Sequence, residues 1–319
     1  MELPNEIQAL LEHKTKNVKS KYLNSIFEKL SGDYINNTGT GKEFLPNQDY
    51  VLVYSLSRLN ATFSVVDFVL NKFNEYIDDN IDTILDVGAG MGTASINALY
   101  HFDLNNIELV EKNTHMMSMG KELLDLYNVN YNYINCDAVK FKSNKKYDLV
   151  IASYFLSELE EKTRIKVAEN LWDMTNKYLI ICDIGTPQGY QNMQNIKATL
   201  FDKNAKILLP CPNNNCPLKN DWCHFVTRVN RSKINKLVKN ADSPFEDEKF
   251  TYAIFGKEKS NLATNIVLRH PIKEKSVVKV QLCQKDKITQ DVITKNHKLY
   301  KVARKVKIGD ELKLKDFTD

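Results

Sequence analysis

The stretch Asp86-Val87-Gly88-Ala89-Gly90-Met91-Gly92-Thr93 decides the fold class of this chain. It joins a short apolar run, Thr83–Val87, to a segment with helical spacing, Thr93–Tyr100. Glycines at such a junction let the backbone turn sharply and approach a ligand closely. The N–H groups that begin the following helix can bind an anionic group. The stretch therefore predicts a strand, a glycine turn and a helix that together form one half of a nucleotide-type site.

The spacing of the glycines distinguishes between two kinds of cofactor. A dinucleotide site requires Gly-x-Gly-x-x-Gly, and here the third glycine position falls on Thr93 or Ser95. The observed pattern is Gly-x-Gly-x-Gly, formed by Gly88, Gly90 and Gly92. Preceded by an acid, here Asp86, this pattern resembles the motif of class I methyltransferases, which bind S-adenosylmethionine. We expect Asp86 to face the amino-acid tail of that cofactor.

Two further acids follow later strands of the same pattern. Glu111 ends the strand Asn106–Val110, and an acid at this distance from the glycine turn can accept hydrogen bonds from ribose hydroxyls. Asp137 follows the strand Tyr131–Asn135, where these domains place an acid against the adenine amino group. A glycine turn alone is also compatible with a plain strand-to-helix connection. Three elements in register favour a cofactor site.

From Thr83 onward, short apolar runs alternate with helical segments. This alternation predicts a parallel sheet with helices on both faces, whose strands are apolar because both of their sides are buried. The preceding residues have helical spacing, with a loop at Ser31–Gln48 and a break near Asn60; Phe250–Phe255 and Ala263–Arg269 are expected to complete the sheet. The predicted fold is α/β, a class I methyltransferase Rossmann-like sheet, with a helical N-terminal region (1–76), a cofactor-binding core (77–204), a cysteine-rich metal-binding insertion (205–249), and last sheet strands with a basic, β-rich C-terminal extension (250–319).

Composition and the N-terminal residues favour a cytoplasmic protein. The chain has 319 residues, of which 43% are hydrophobic and 26% are charged, an ordinary balance for a globular protein. No run of about 18 apolar residues occurs, so no membrane span is expected. The acidic start, Met1-Glu2-Leu3-Pro4-Asn5-Glu6, lacks the features of a signal or transit peptide. We expect a monomer.

The net charge of +4 is distributed unevenly along the chain. Residues Arg269 to Lys315 contain 14 Lys and Arg against 5 Asp and Glu, so the remainder is acidic. A basic end on an acidic body is typical of a protein that binds a phosphate-rich partner. A solvated lysine-rich surface gives the same composition. The charge pattern leaves these two interpretations open.

A cluster of cysteines follows the predicted core. Cys211, Cys216 and Cys223 have the spacing C-x4-C-x6-C, and prolines follow the first two. Disulfides are rare in cytosolic proteins, so clustered thiols there indicate a metal site. A site with four ligands requires one more group, and the candidates are His224 and Cys283. Four thiolates fit either zinc or an iron–sulfur cluster.

Several stretches together resemble the methyltransferase-like proteins of the small mitochondrial ribosomal subunit and their bacterial homologues. The carrying segments are Leu209-Pro210-Cys211-Pro212 through Cys216-Pro217-Leu218, Asp221-Trp222-Cys223-His224-Phe225, Arg228-Val229-Asn230-Arg231, Pro244-Phe245-Glu246-Asp247-Glu248-Lys249-Phe250, Gly185-Thr186-Pro187, Ala303-Arg304-Lys305 and Gly309-Asp310. The resemblance implies a 4Fe–4S cluster on Cys211, Cys216, Cys223 and Cys283. It also implies association with the small ribosomal subunit and its rRNA, in agreement with the basic C-terminal region. In one departure, the family's Arg-x-Pro-Ala-Thr reads Arg58-Leu59-Asn60-Ala61-Thr62 here.

The residues that would catalyse methyl transfer are less defined. The strand Tyr147–Ser153 ends without the Pro-Pro that amino-methyltransferases use, but Tyr154 and Glu158 are placed to line the pocket. Packing explains both residues equally well. Cys182 lies in an apolar run, which favours burial over a nucleophilic role. Three functions therefore stay open. The first is a methyltransferase-fold ribosome assembly factor that binds S-adenosylmethionine and rRNA, with or without methyl transfer. The others are a binding module that uses cofactor and cluster structurally, and a small-molecule methyltransferase with zinc.

Overall fold

The computed structural model describes residues 2–37, 45–258 and 263–312, and the chain divides into two compact units. The first unit contains Met1–Asp183 and Thr227–Glu248, and the second contains Ile184–Val226 and Lys249–Asp319. These units cut across the four predicted segments, whose boundaries remain predictions. Residues 38–44 of the predicted loop and residues 313–319 of the basic tail lie outside the described residues.

The first unit is built on a sheet of parallel strands. In chain order they are β1 (Thr83–Val87), β2 (Asn106–Glu111), β3 (Tyr131–Asn135), β4 (Tyr147–Ser153) and β5 (Thr175–Ile184). They lie side by side in the order β3-β2-β1-β4-β5. The order reverses between β1 and β4, and the carboxyl ends of strands at such a reversal form a crevice that binds ligands. The predicted Rossmann-like α/β fold class is confirmed, and the predicted bounds of β1, β3 and β4 are those observed.

Helices connect and cover these strands. They are α1 (Asn5–Thr15), α2 (Ser20–Asn37), α3 (Gln48–Tyr54), α4 (Asn60–Asn74), α5 (Thr93–Ala98), α6 (Thr114–Leu124) and α7 (Glu161–Met174). Ile7 of α1, Ile26 of α2 and Val51 of α3 are buried in one cluster with Leu123 of α6. The apolar faces of the N-terminal helices therefore share a core with the helices of the sheet. Helix α2 continues to Asn37, so the predicted loop begins later than Ser31.

Near Asn60, where the sequence predicts a break, the α-helix is interrupted by a wider turn and does not end. Ser55–Leu59 form a π-helical turn between α3 and α4, and the flanking residues Tyr54 and Asn60 keep helical dihedral angles. The Asn60 side chain donates to the carbonyl of Asn230 at 2.8 Å. Asparagine has a low helix propensity, and such tertiary contacts override it. Single π-turns of this kind occur frequently at functional sites.

The remaining elements follow in chain order. They are α8 (Pro187–Asp202), β6 (Lys206–Leu209), β7 (Phe225–Asn230), α9 (Lys233–Lys239), β8 (Phe245–Gly256), β9 (Ile266–Val267), β10 (Ile272–Lys273), β11 (Val277–Cys283), β12 (Ile288–Thr294) and α10 (Tyr300–Ala303). In the second unit, β6 is antiparallel to β8. A separate sheet contains β9, β10, β11 and β12, with β11 and β12 paired along their full length.

The strand β9 corrects one prediction. Its residues lie within Ala263–Arg269, which was expected to complete the main sheet. Instead Val267 and Ile266 pair with Leu282 and Cys283 of β11. The apolar side chain of Val267 is buried there with those of β11 and α10. A short apolar run does not indicate which sheet it joins, because the choice depends on contacts distant in sequence.

Across the described part of the chain, no helix is both long and apolar enough for a membrane crossing.

Candidate functional site

The glycine turn between β1 and α5 has a conformation that requires glycine. Gly88, Gly90 and Gly92 have φ angles of +68°, +55° and +73°. Residues with a side chain rarely adopt this left-handed region. A Cβ on Gly88 would also lie 2.4 Å from Cγ of Phe155, which is closer than any packing allows. Conformation and packing together therefore fix the turn as the sequence predicts.

Glu111, at the end of β2, holds this turn in place. Its Oε2 accepts a hydrogen bond from the Gly90 N–H at 2.8 Å, and its Oε1 accepts one from the Asn113 N–H at 2.8 Å. Burial raises the pKa of Glu111, and these backbone hydrogen bonds oppose the rise. Hydrogen bonds within the protein thus hold the Glu111 carboxylate in the wall of the site.

A cavity of about 340 Å³ opens at the carboxyl ends of the parallel strands. It is lined by Gly88 and Gly90 of the turn, by Glu111, and by Asp137. Asp137 Oδ1 accepts a hydrogen bond from the Val139 N–H at 3.0 Å, within the loop that follows β3. The structure therefore brings the glycine turn and both later acids to one cavity. Further lining residues include Leu45, Tyr54, Leu59, Thr62, Met116, Tyr154, Phe155, Glu158 and Thr163.

Asp86 has a different position. Its side chain is fully buried, and its Oδ2 accepts hydrogen bonds from the N–H and the hydroxyl of Ser95 at 3.2 and 2.9 Å. Its Oδ1 has no hydrogen-bond partner among the described residues. Burial raises the pKa of Asp86 to about 7. Neither Asp86 nor Gly92 is among the described residues that line the cavity, so Asp86 contacts the start of α5 rather than the cavity.

Tyr154 is the first residue after β4 and lies in the cavity wall. Its φ of +55° is unusual for a residue with a large side chain. Its N–H donates to the carbonyl of Cys182 at 2.9 Å, and its hydroxyl donates to Oε1 of Glu248 at 3.3 Å. Strained backbone of this kind costs about 1–3 kcal/mol and is concentrated at functional sites.

Glu158 also lines the cavity, at the end of the 3-10 turn Leu156–Glu158. Burial raises its pKa to about 7, and the negative charges of Asp183 and Glu111 contribute further. A carboxyl group with this pKa can both release and accept a proton near neutral pH. Cys182 differs, because it is fully buried and its thiol pKa is raised far above the ordinary value by burial. Burial therefore makes Cys182 a poor nucleophile.

The second unit contains the four predicted cysteine ligands. Burial raises the pKa of Cys223, and the neighbouring thiols of Cys211, Cys283 and Cys216 raise it further. The pKa of Cys283 is raised in the same way, by burial and then by Cys211 and Cys216. Cys283, at the end of β11, therefore lies within electrostatic range of the cysteine segment, residues 211–223. His224, the other candidate for fourth ligand, stacks on Trp222 with a ring-centroid distance of 5.8 Å.

The chain matches a known family over most of its length. Residues 48–313 match the family model described as mitochondrial small ribosomal subunit Rsm22. This chain belongs to the Rsm22 family. The human mitochondrial ribosome assembly protein METTL17 is 25% identical to it over 252 residues, which make up 70% of this chain and 54% of the human protein. The Rsm22-family chain thus spans about half the length of that relative.

Two further proteins are similar to this Rsm22-family chain. Malonyl-(acyl-carrier protein) O-methyltransferase 1 of Ilyobacter polytropus is 25% identical over 236 residues, which make up 72% of this chain and 82% of that protein. The crystal structure of magnesium protoporphyrin IX methyltransferase from Synechocystis has 14% sequence identity and a TM-score of 0.41. That alignment covers 74% of this chain and 96% of the other.

Sequence reasoning missed an ion pair beside the cavity of this Rsm22-family chain. Arg58, in the π-helical turn, donates two hydrogen bonds to the carboxylate of Glu248, at 3.1 and 2.7 Å. The same carboxylate accepts the Tyr154 hydroxyl, and the Arg58 guanidinium lies 5.8 Å from the centroid of the Tyr154 ring. Both residues lie in segments that carry the family resemblance, Arg58–Thr62 and Pro244–Phe250, but nothing in either segment predicts that the two side chains meet.

Two residues of α8 beside the cysteines were also missed. The Lys197 ammonium lies 3.2 Å from Sγ of Cys211, and the Tyr190 hydroxyl lies 3.3 Å from Sγ of Cys216. Nearby, three buried atoms have no hydrogen-bond partner among the described residues, namely Asn213 Oδ1, Trp222 Nε1 and His224 Nδ1. Buried polar groups without partners are rare and call for an explanation such as a bound group.

The four cysteines are the candidate metal ligands of the second unit. Within residues 2–37, 45–258 and 263–312, no three His, Cys, Asp or Glu side chains form a group that could hold a metal ion. A cluster with one cysteine on each of four irons keeps its thiolates farther apart than a single zinc ion does. The neighbouring thiols raise the pKa of Cys223, and donors lie beside Cys211 and Cys216, so the residues present fit a group that binds four thiolates.

Proposed function

We propose that this chain is an S-adenosylmethionine-binding, methyltransferase-like protein that acts in assembly of the small ribosomal subunit. The observation that carries the cofactor assignment is the convergence of the glycine turn, Glu111 and Asp137 on one cavity at the strand-order reversal. Membership of the Rsm22 family supports the ribosomal part, and the human relative is named as a ribosome assembly protein.

Different residues of the cavity would bind different parts of the cofactor. Glu111 has acceptor capacity left for ribose hydroxyls after its two backbone hydrogen bonds, and Asp137 would accept from the adenine amino group. The glycine turn lets the backbone approach the ligand, and the first N–H groups of α5 favour its carboxylate. Asp86 contributes indirectly, because it fixes Ser95 at the start of α5. When bound, the cofactor supplies a methyl group on a positively charged sulfur.

A catalytic role for this site would use Tyr154 and Glu158. Both line the cavity, and Glu158 titrates close to neutral pH. Tyr154 would hold the acceptor group in place, and Glu158 would take up the proton that the acceptor loses. The alternative function is a catalytically inactive assembly module that binds the same cofactor as a structural ligand. The unusual φ of Tyr154 and the raised pKa of Glu158 favour transfer, since such features are concentrated at catalytic sites.

The cysteines of the second unit would hold a 4Fe–4S cluster. Cys211, Cys216, Cys223 and Cys283 are the proposed ligands, and zinc is the alternative occupant. The buried ammonium of Lys197 beside Cys211 supports this assignment, because a buried cation requires a nearby anion. Thiolates bound to a metal centre supply that negative charge, whereas neutral thiols do not.

The basic C-terminal region is the proposed contact with rRNA. Lys301, Arg304 and Lys305 are exposed on and directly after α10. Val302, between them, is also exposed. Exposed cations on a small folded unit can contact successive phosphates, and arginine can form two parallel hydrogen bonds to one phosphate. We infer that this face docks on the RNA of the small subunit.

The cofactor assignment is tested by calorimetry on the full chain. We expect wild type to bind S-adenosylmethionine, and Glu111→Ala and Asp137→Ala each to weaken binding by about tenfold or more, equivalent to about 1.4 kcal/mol. Glu122→Ala is the matched control, since Glu122 pairs with Lys14 on the surface of α6. A wild-type protein with no measurable affinity would overturn the cofactor assignment.

Activity is tested separately, by mapping every modified base of small-subunit rRNA with and without the gene. Loss of one methylated base, restored by wild type but not by Glu158→Gln, would support methyl transfer. Unchanged modification together with defective small subunits would support the inactive assembly module. Normal small subunits and normal rRNA would contradict both functions and favour a small-molecule substrate.

A further inference from the structure

Helix α8 presents one polar stripe to the cysteines of the second unit. Tyr190, Gln194 and Lys197 are four and three residues apart, so they lie on the same face of the helix. Lys197 is 2% exposed, and its ammonium contacts Oε1 of Gln194 at 3.4 Å and Sγ of Cys211 at 3.2 Å. Tyr190 contacts Sγ of Cys216 at 3.3 Å. Two of the four sulfur atoms therefore each have a donor from the same helix.

Burial of the Lys197 ammonium costs free energy unless a negatively charged group lies beside it. Lysine is almost never fully buried unless it is paired, and an unpaired buried ammonium is strongly disfavoured. The amide oxygen of Gln194 is neutral and lies at the longer of the two distances. The sulfur of Cys211 is thus the contact that can carry negative charge. The two α8 donors are placed to compensate charge on the sulfur atoms.

We propose that Lys197 and Tyr190 are positioning residues that raise the reduction potential of the group held by the four cysteines. This inference rests on the proposed 4Fe–4S cluster. Reduction adds one electron, which a one-electron donor supplies, and so makes the cluster more negative. Hydrogen bonds to sulfur and a neighbouring positive charge stabilise the more negative form. The protein therefore holds its cluster in a form that is easier to reduce than four cysteines alone would give.

The test is an anaerobic redox titration of the full chain, with iron content and the visible spectrum measured on the same samples. Lys197→Met removes the charge and keeps most of the side-chain volume. We expect this variant to retain iron while the ratio of reduced to oxidised cluster at a fixed potential falls by about tenfold, a shift of about 59 mV for one electron. Lys197→Arg should keep a potential close to wild type. Tyr190→Phe should shift the potential in the same direction by less.

The control is Lys219→Met, which makes the same charge change on an exposed residue between Cys216 and Cys223. Solvent screens an exposed charge, so we expect no shift in the reduction potential.

Should Lys197→Met fail to retain iron, Tyr190→Phe decides the question, because it removes one hydroxyl and no charge. Unchanged potentials in iron-containing variants would overturn the role of α8 and leave the cluster intact. Wild type without iron would overturn the cluster, and this inference with it. An equal shift in Lys219→Met would show that the reduction potential responds only to the net charge of the protein, and would also overturn the proposal.

Discussion

The guanidinium of Arg58 and the carboxylate of Glu248, 190 residues apart in the chain, form two hydrogen bonds beside the cavity at the carboxyl ends of the parallel strands. Arg58 lies in a widened helical turn, and Glu248 also accepts the hydroxyl of Tyr154. This pair therefore connects the N-terminal helices to the residue that follows β4. Bidentate pairs of this kind fix orientation as well as adding energy.

Replacing Glu248 should loosen Tyr154. For Glu248→Gln we expect a loss of about 1–2 kcal/mol in unfolding free energy, at the low end for charged hydrogen bonds because Arg58 is about a third exposed. We also expect about tenfold weaker cofactor binding, equivalent to about 1.4 kcal/mol. The adjacent Asp247→Asn is the control, since Asp247 pairs with Arg228 on the surface. Equal effects of both substitutions, in denaturant titration and calorimetry, would contradict the role of the pair.

The glycine turn should not tolerate a methyl group at its first position. Gly88→Ala places a Cβ 2.4 Å from the Phe155 ring at a φ of +68°. The strain alone should cost about 1–3 kcal/mol, and displacement of Phe155 should abolish cofactor binding. Gly32→Ala is the control, because nothing lies within 4 Å of its Cβ position. In helix α2 that substitution should be neutral or stabilising by up to about 1 kcal/mol. Normal cofactor binding by Gly88→Ala would show that the turn is not the site.

The free energy of unfolding should depend on pH because of Glu158. The pKa of this group rises from 4.5 to about 7 on folding. Between these pH values the folded state binds more protons than the unfolded state, so stability falls as pH rises from about 4.5 to about 7. Glu158→Gln removes this dependence. We expect the variant to have a flatter profile of Tm against pH and to be more stable than wild type at pH 8. Parallel profiles for the two proteins would contradict the raised pKa.

The cysteine assignment predicts which thiols retain iron. For Cys283→Ser we expect loss of iron and of the visible absorption, together with a lower Tm, because metal binding and folding are coupled. Cys136→Ser is the control, since Cys136 lies in the first unit and lines the cavity there. Full iron content in Cys283→Ser would exclude Cys283 as the fourth ligand. In that case His224→Ala becomes the informative variant.

The proposed RNA contact predicts a change in the salt dependence of binding. Neutralising Lys301, Arg304 and Lys305 to Gln should weaken binding to small-subunit rRNA and reduce the slope of log affinity against log salt by about 2–3. The control neutralises three exposed lysines near the N-terminus, namely Lys16, Lys19 and Lys21. A slope unchanged in the first variant, measured by filter binding from low to high salt, would identify the basic region as a solvated surface.

Much of the first unit could be predicted from the sequence because its signals are local. The strands β1, β3 and β4 have the predicted bounds, since short runs between turn residues have a clear start and end. The glycine turn, Glu111 and Asp137 could be assigned to one edge because parallel strands bring their carboxyl ends together.

The parts that were missed depend on contacts between residues distant in sequence. The partner of Arg58 lies 190 residues away, and no local pattern encodes that pairing. Lys197 has the appearance of a surface residue on an amphipathic helix, and only the cysteine segment folded against it makes it a buried donor. The strand β6 is four residues long and follows α8 closely, so its apolar run was not distinguished from the cysteine segment. Asp86 matches the motif, yet its burial against Ser95 could not be read from its position.

The first unit is discontinuous, because it contains residues 1–183 and returns for 227–248. During synthesis the chain emerges from its N-terminus, and Val238 of α9, a fully buried member of the core with the N-terminal helices, is made late. The ribosome must therefore synthesise the whole cysteine segment before α9 can complete the core of the first unit. A polypeptide that stops near residue 200 would expose the apolar surface that α9 covers, and it would be a natural target for chaperones and proteases.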